Sequence, residues 1–140
     1  VTQVLSGCNE LESKVDHIIE EVVFPLVLGG DHSISIGTLA GVAKHYKNLG
    51  VIWYDAQCDL NTEETSPSGN IHVMSLAASL GYGHLTLVDL YEADTEMKQE
   101  NVVIMDAREL EEGRKDFIHN KSIKVVIKHG IDRMGMTAVI

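Results

Sequence analysis

Two short stretches of this sequence carry residues that can hold a metal ion. In "GGDHS", Asp31 and His32 follow the apolar run "VVFPLVL"; in "VIWYDAQCDLN", Asp55 and Asp59 close another apolar run, with Gln57 and Cys58 between them. An imidazole and two carboxylates suit Mn, Fe, Zn or Mg better than a metal that prefers soft ligands. Each stretch also has a plainer reading: the first as a turn with a helix cap, the second as a solvated turn. If the two strands are neighbours, His32, Asp55 and Asp59 can converge on one point, because ligands of an open parallel sheet bind outside the carboxyl ends of its strands; that joint placement weakens the plainer reading without removing it. His72 follows a polar loop at the start of a helix, where it can face the same cleft as a proton carrier. Asn61, Ser68 and Asn70 on that loop can hydrogen-bond a polar ligand, although turn chemistry explains them equally well. Cys58 has no visible base and orienting group, so it does not read as a nucleophile. The remaining histidines (His17, His45, His84, His119 and His129) have no companions in sequence and read as surface or packing residues. The glycines lack the spacing of a phosphate loop.

The elements that must position these residues follow from hydrophobic periodicity. Val4, Leu5, Cys8, Leu11, Val15, Ile18, Ile19 and Val22 recur at the helical period, which predicts a long helix with one buried face, Cys8 on its apolar stripe. Val22 to Leu28 is continuously apolar and predicts a strand buried on both faces. Ile36, Leu39, Ala40, Ala43 and Tyr46 predict a second helix, which Ser33 or Ser35 can cap. "GVIWYDA" predicts the next strand, and the loop "NTEETSPSGN" is too long for a simple turn. A helix over 71–80, stopped by Gly81 and Gly83, precedes a strand in "NVVIMDA". A charged helix over 109–120, a strand in "SIKVVI" and a helix beginning at Asp132 complete the order. Strands alternating with helices predict βαβ units and a parallel sheet covered by helices.

Composition limits the partners. The chain has 140 residues, enough for one domain over 1–140, and 44% of them are hydrophobic. Lys and Arg total 11 against 21 Asp and Glu, a net charge of −10. Such a balance speaks against nucleic acid and against an anionic membrane surface, which require basic patches. No apolar run approaches the roughly 20 residues that span a bilayer. No signal peptide is visible at the start, and Cys8 and Cys58 do not make a disulfide framework, so a cytoplasmic setting is expected. A start at Val1 and an end within "MTAVI" suggest a piece of a longer chain.

"LGGDHSISIGTLAG" and "VIWYDAQCDLNTEETSPSGNIHVMS" resemble the arginases of the ureohydrolase family. The resemblance runs along nearly the whole chain, and the loop "NTEETSPSGN" is closer to arginases than to agmatinases. It implies a three-layer α/β/α fold with a mainly parallel sheet, here incomplete at both ends. It also implies two Mn²⁺ per site and hydrolysis of L-arginine to L-ornithine and urea. Carried over by position, His32, Asp55 and Asp59 match metal ligands, and Asp59 also orients the attacking hydroxide. His72 matches the proton-shuttling histidine, and Asn61, Ser68 and Asn70 match residues that recognise the amino-acid end of the substrate. Glu111 stands near an acidic residue that meets the substrate ammonium, on a looser local match. The family also implies a homo-oligomer, a trimer or hexamer.

The departures are specific. Gln57 replaces a family histidine that ligates metal; its amide oxygen is a neutral and poorer donor. Val73, Met74 and Ser75 follow His72 where the family has Gly, Met and Pro, and Asp106 stands where the family has a glycine. The family's second aspartate motif, the glutamate that grips the guanidinium and the first strand of the sheet are not in these residues. Two functional readings follow. One is an arginase-type, manganese-dependent hydrolase; the other is an inactive or truncated ureohydrolase-like domain serving as a binding or assembly module.

Overall fold

In a computed structural model, which describes residues 2–91, 97–108 and 118–139, three parallel strands form the sheet: β1 (Val51–Tyr54), β2 (Val102–Ala107) and β3 (Lys124–Ile127), in the order β1-β2-β3. β1 pairs with β2 from Val51↔Val102 to Tyr54↔Met105, and β2 pairs with β3. Val102 and Ile104 on the central strand are fully buried. They pack with Trp53, Leu60, Leu76 and Ile123 into one core cluster. The register with β3 breaks between Met105 and Ala107. There Asp106 takes a left-handed φ of 68°, the signature of a β-bulge whose extra residue favours glycine. The glycine expected at this position by resemblance therefore has a backbone reason.

The first helix, α1 (Thr2–Glu20), forms as its periodicity predicts and buries Cys8, Glu12 and Val15. It lies against α2 (Ile34–Ala43). The two backbones approach closely at two glycines. A Cβ on Gly37 would stand 2.4 Å from the Cys8 carbonyl oxygen, and one on Gly41 would stand 2.6 Å from that of Glu12. Lys44, just past α2, reaches Glu12 and Asp16 of α1, and His45 Nε2 lies 2.6 Å from Asp16 Oδ1. The predicted helix over 71–80 appears as a 3-10 turn, Ile71–Met74, running into α3 (Ser75–Ser79), and it stops before Gly81 at φ 82°. α4 (Leu85–Val88) follows. At the C-terminal side, helix starts at Lys128, earlier than the expected Asp132. The expected helix over 109–120 lies outside the described residues except for its end, which is helical.

Two expectations are corrected. Residues 22–28 form neither strand nor helix. Far from being buried on both faces, Phe24 is 87% exposed, and Val22, Val23, Leu26 and Leu28 are exposed with it. The apolar pattern is right about what the segment needs, but among the described residues no strand pairs with it. Neither Ser33 nor Ser35 caps α2 through a side chain onto the helix amides. Ser33 Oγ turns to Asp31 Oδ1, and Ser35 Oγ donates to the His32 carbonyl (2.6 Å). Local turn hydrogen bonds win over the cap, a common outcome for serine.

Candidate metal centre

The carboxyl end of β1 builds the site. Asp55 follows directly on β1, its amide donating to the Met105 carbonyl of β2 at 3.1 Å. The chain then bends sharply, with Cys58 at φ 69° and Asp59 at φ 49°. Two successive left-handed non-glycine residues are strained by roughly 1–2 kcal/mol each, and such strain concentrates at functional sites. The bend carries Asp59 back under the strand, where it is 2% exposed. Its backbone is pinned as well: the Asp59 carbonyl accepts from the amides of Leu76 and Ala77, both at 3.1 Å. Those are amides of the first turn of α3, which otherwise lack partners. Asp59 thus ties β1 to the helical segment that begins beside His72.

His32 arrives from the other side. Asp31 Oδ1 accepts from the Ser33 amide at 3.0 Å and so shapes the turn that presents His32. Those Ser33 hydrogen bonds hold the Asp31 carboxyl below the usual carboxylate range. His32 Nδ1 lies 2.7 Å from Asp59 Oδ2 and 3.8 Å from Asp55 Oδ2. Its ring packs on Trp53, with centroids 4.6 Å apart and planes tilted by 43°. One ligand atom from each of His32, Asp55 and Asp59 lies within 4.8 Å of the others. Burial, and then the charge of Asp55, push the Asp59 carboxyl up to about 6, against the pull of the His32 hydrogen bond. Two carboxylates crowded in a partly dry corner repel each other, and the excess of negative charge favours a cation. A divalent cation would supply the balancing charge, and one imidazole nitrogen with carboxylate oxygens fits such an ion.

The other predicted residues sort by distance from this corner. His72 is half-buried and lies close enough to Asp31 and Asp59 to act electrostatically on both carboxyls. Gln57 is exposed, between the two aspartates in sequence. Asn61 is 3% exposed, and its amide donates to the Val73 carbonyl (3.1 Å). The loop from Thr62 onward is therefore closed at its base. Within it Thr65 and Ser66 donate their amides to the Thr62 carbonyl, and Gly69 donates to Ser66 Oγ. Ser68 and Asn70 are exposed near its end, the Asn70 amide donating to Ser68 Oγ at 3.3 Å. Cys58 is fully buried. Glu111 lies outside the described residues. Sequence reasoning missed Trp53, which holds the His32 ring; its position two residues before Asp55 was the available signal. Asp31 was named but given no role.

The sequence profile of the arginase family matches residues 1–140. The chain is 61% identical over its whole length to the arginase of Bacillus subtilis (strain 168), of which it covers 47%. Its structure superposes on that of arginase from Bacillus cereus with a TM-score of 0.95 and 78% identity, covering 99% of this chain and 48% of that one. An Entamoeba histolytica arginase crystallised in complex with L-ornithine matches with a TM-score of 0.88 and 35% identity over 99% of this chain and 47% of that one. The chain spans about half the length of the curated relatives it matches. By profile, identity and superposed fold, the chain belongs to the arginase family.

Proposed function

We propose that this chain carries one wall of a manganese site in a protein that hydrolyses L-arginine to L-ornithine and urea. The observation that carries the reading is the convergence of His32, Asp55 and Asp59 within 4.8 Å at the end of a parallel strand, in a chain of this family. The L-ornithine bound by the Entamoeba histolytica relative fits that product. When bound, the metal supplies a water of lowered pKa and polarises the group under attack. The residues of this chain do the rest. His32, Asp55 and Asp59 hold the ion, and Gln57 stands where the resemblance expects a histidine ligand. Asp59, buried and pinned through its carbonyl, orients the attacking water. His72 moves a proton at the edge of the cleft. Asn61, Ser68 and Asn70, on the closed loop, hold the amino-acid end of the substrate.

Family resemblance also supports two metal ions per site and a homo-oligomeric assembly, trimer or hexamer. The two free, buried cysteines, Cys8 and Cys58, suit the reducing cytoplasm. Among the described residues no helix is long and apolar enough to cross a membrane.

The test is a graft. This chain replaces its counterpart in the Bacillus cereus arginase, and urea release from L-arginine is followed with added Mn²⁺. Release is expected, and Gln57→His should tighten Mn²⁺ on the order of tenfold by restoring an imidazole donor. Absence of urea from both versions overturns the reading.

A further inference from the structure

Two helices grip the backbone of the metal corner. The first turn of α2 holds His32: the Ser35 amide and Ser35 Oγ both donate to the His32 carbonyl, at 3.0 and 2.6 Å. The first turn of α3 holds His72 and Asp59. Ser75 Oγ donates to the His72 carbonyl at 2.9 Å, and the Leu76 and Ala77 amides donate to the Asp59 carbonyl. The separation of α2 and α3 therefore bears on where His32 meets Asp59.

Tyr91, beyond α4, joins the two helices. Its hydroxyl lies 3.0 Å from the Ile36 carbonyl oxygen of α2 and 2.7 Å from Ser79 Oγ of α3. Ser79 Oγ in turn donates to the Ser75 carbonyl at 2.9 Å. A continuous polar line thus runs from α2 through Tyr91, Ser79 and Ser75 to the His72 carbonyl. Ile36, Ser75 and Ser79 are fully buried, and the Tyr91 ring packs among Cys8, Ile36, Ala78 and Leu87. Burial holds the phenol above its usual range, so it stays a neutral donor. A hydroxyl among apolar side chains is costly unless it is hydrogen-bonded, and a buried network with its bonds made favours one geometry. Phenylalanine would fill the same volume. What the oxygen adds is a fixed relation between the two helices.

We infer that Tyr91 is a positioning residue for the metal corner: its hydroxyl ties the helix that follows His32 to the helix that holds His72 and Asp59. The inference rests on the proposed reading of His32, Asp55 and Asp59 as metal ligands.

The test compares Tyr91→Phe with Leu87→Ala, which opens the same cluster and leaves the hydroxyl in place. In the Bacillus cereus graft, Tyr91→Phe should weaken Mn²⁺ binding about tenfold, the scale expected of groups that orient ligands; the electron paramagnetic resonance signal of free Mn²⁺ reads it. At saturating Mn²⁺, kcat should fall while KM for L-arginine moves by less than about twofold, because the 62–70 loop is closed by its own hydrogen bonds. Leu87→Ala should lower the melting temperature more, yet leave Mn²⁺ affinity within about twofold of the parent. In the metal-free chain, hydrogen exchange at Ser35, Leu76 and Ala77 should quicken about tenfold in Tyr91→Phe, with the β2 amides unchanged. Parent-like Mn²⁺ affinity and exchange in Tyr91→Phe overturn the inference. So does an equal loss of Mn²⁺ affinity in both variants, which marks plain packing. A parent graft that binds no Mn²⁺ overturns the metal reading instead, and is told apart because exchange at Leu76 and Ala77 still reports whether Tyr91 sets the two helices.

Discussion

Two stretches of nearly the same chemistry end in opposite conditions. "VVIMDA" is the central strand β2, its Val102 and Ile104 sealed between neighbours; "VVFPLVL" runs over the surface with Phe24 and Leu26 in water. Composition does not separate them. What separates them is the presence of paired strands on either side. Strand preference is largely a statement about fitting a half-buried pleated surface, so an apolar run records the surroundings it needs, whether or not they are there. One local difference contributes. α1 is followed by Val22 at φ 60°, an unfavourable angle for a β-branched residue, and Pro25 removes a backbone donor.

The contrast can be tested by substitution. Ile104→Ala should destabilise the chain by about 2–5 kcal/mol in urea unfolding, the usual loss for a large buried aliphatic. A loss well below that range would mean that β2 is not the core strand described. Asp59→Asn should raise stability at pH 7.5 in metal-free buffer, by on the order of 1–3 kcal/mol. The sign follows from the folded carboxyl being held at about 6 against an ordinary 3.8. Its protonation favours the fold at low pH, and that contribution fades as pH rises from about 4 through about 6. Asparagine stays neutral and tolerates the left-handed backbone, so the variant's stability should vary less with pH over this window. Thermal melts with and without Mn²⁺ check the converse, that Mn²⁺ raises the melting temperature of the parent and not of the variant. Asp106→Gly should stabilise by roughly 0.5 kcal/mol, the relief of the left-handed bulge exceeding the added freedom of the unfolded chain. A clear loss would show that the Asp106–Arg108 ion pair at 3.5 Å matters more than the backbone angle. Leu26→Ala should change this chain by less than about 0.5 kcal/mol, yet in the Bacillus cereus graft it should approach the loss seen for Ile104→Ala. Equal effects in both settings would erase the distinction between the two stretches.

Much of the arrangement was legible in the sequence because it rests on local pattern. The period of Val4 to Ile19 specifies α1; the apolar runs at 51–54 and 102–107 specify parallel strands; Gly81 stops α3. The meeting of His32 with Asp55 and Asp59 was legible too, although the stretch before His32, expected as a strand, is not one here. What stayed hidden depends on geometry that residue types do not encode. Nothing in "AQCDL" announces that Cys58 and Asp59 both adopt left-handed angles, although that bend is what buries Asp59. Nothing in "GGDHS" says that Ser33 prefers Asp31 to the helix amides. The state of 22–28 was misread because the pattern reports a requirement and not its fulfilment.

The close approach of α1 and α2 bears on the order of events in folding. Their contacts join residues 28 and 29 apart in sequence, and the cost of closing such a loop grows only slowly with its length. Gly37 and Gly41 let the two backbones meet without contribution from β1, β2 or β3, and Lys44 and His45 latch the far end. During synthesis the amino-terminal residues emerge first, so 22–28 would be strung between two helices already clamped together. Any segment that packs on 22–28 then meets a tethered partner instead of a wandering chain. Much of the ordering entropy of that partner has already been lost before the encounter.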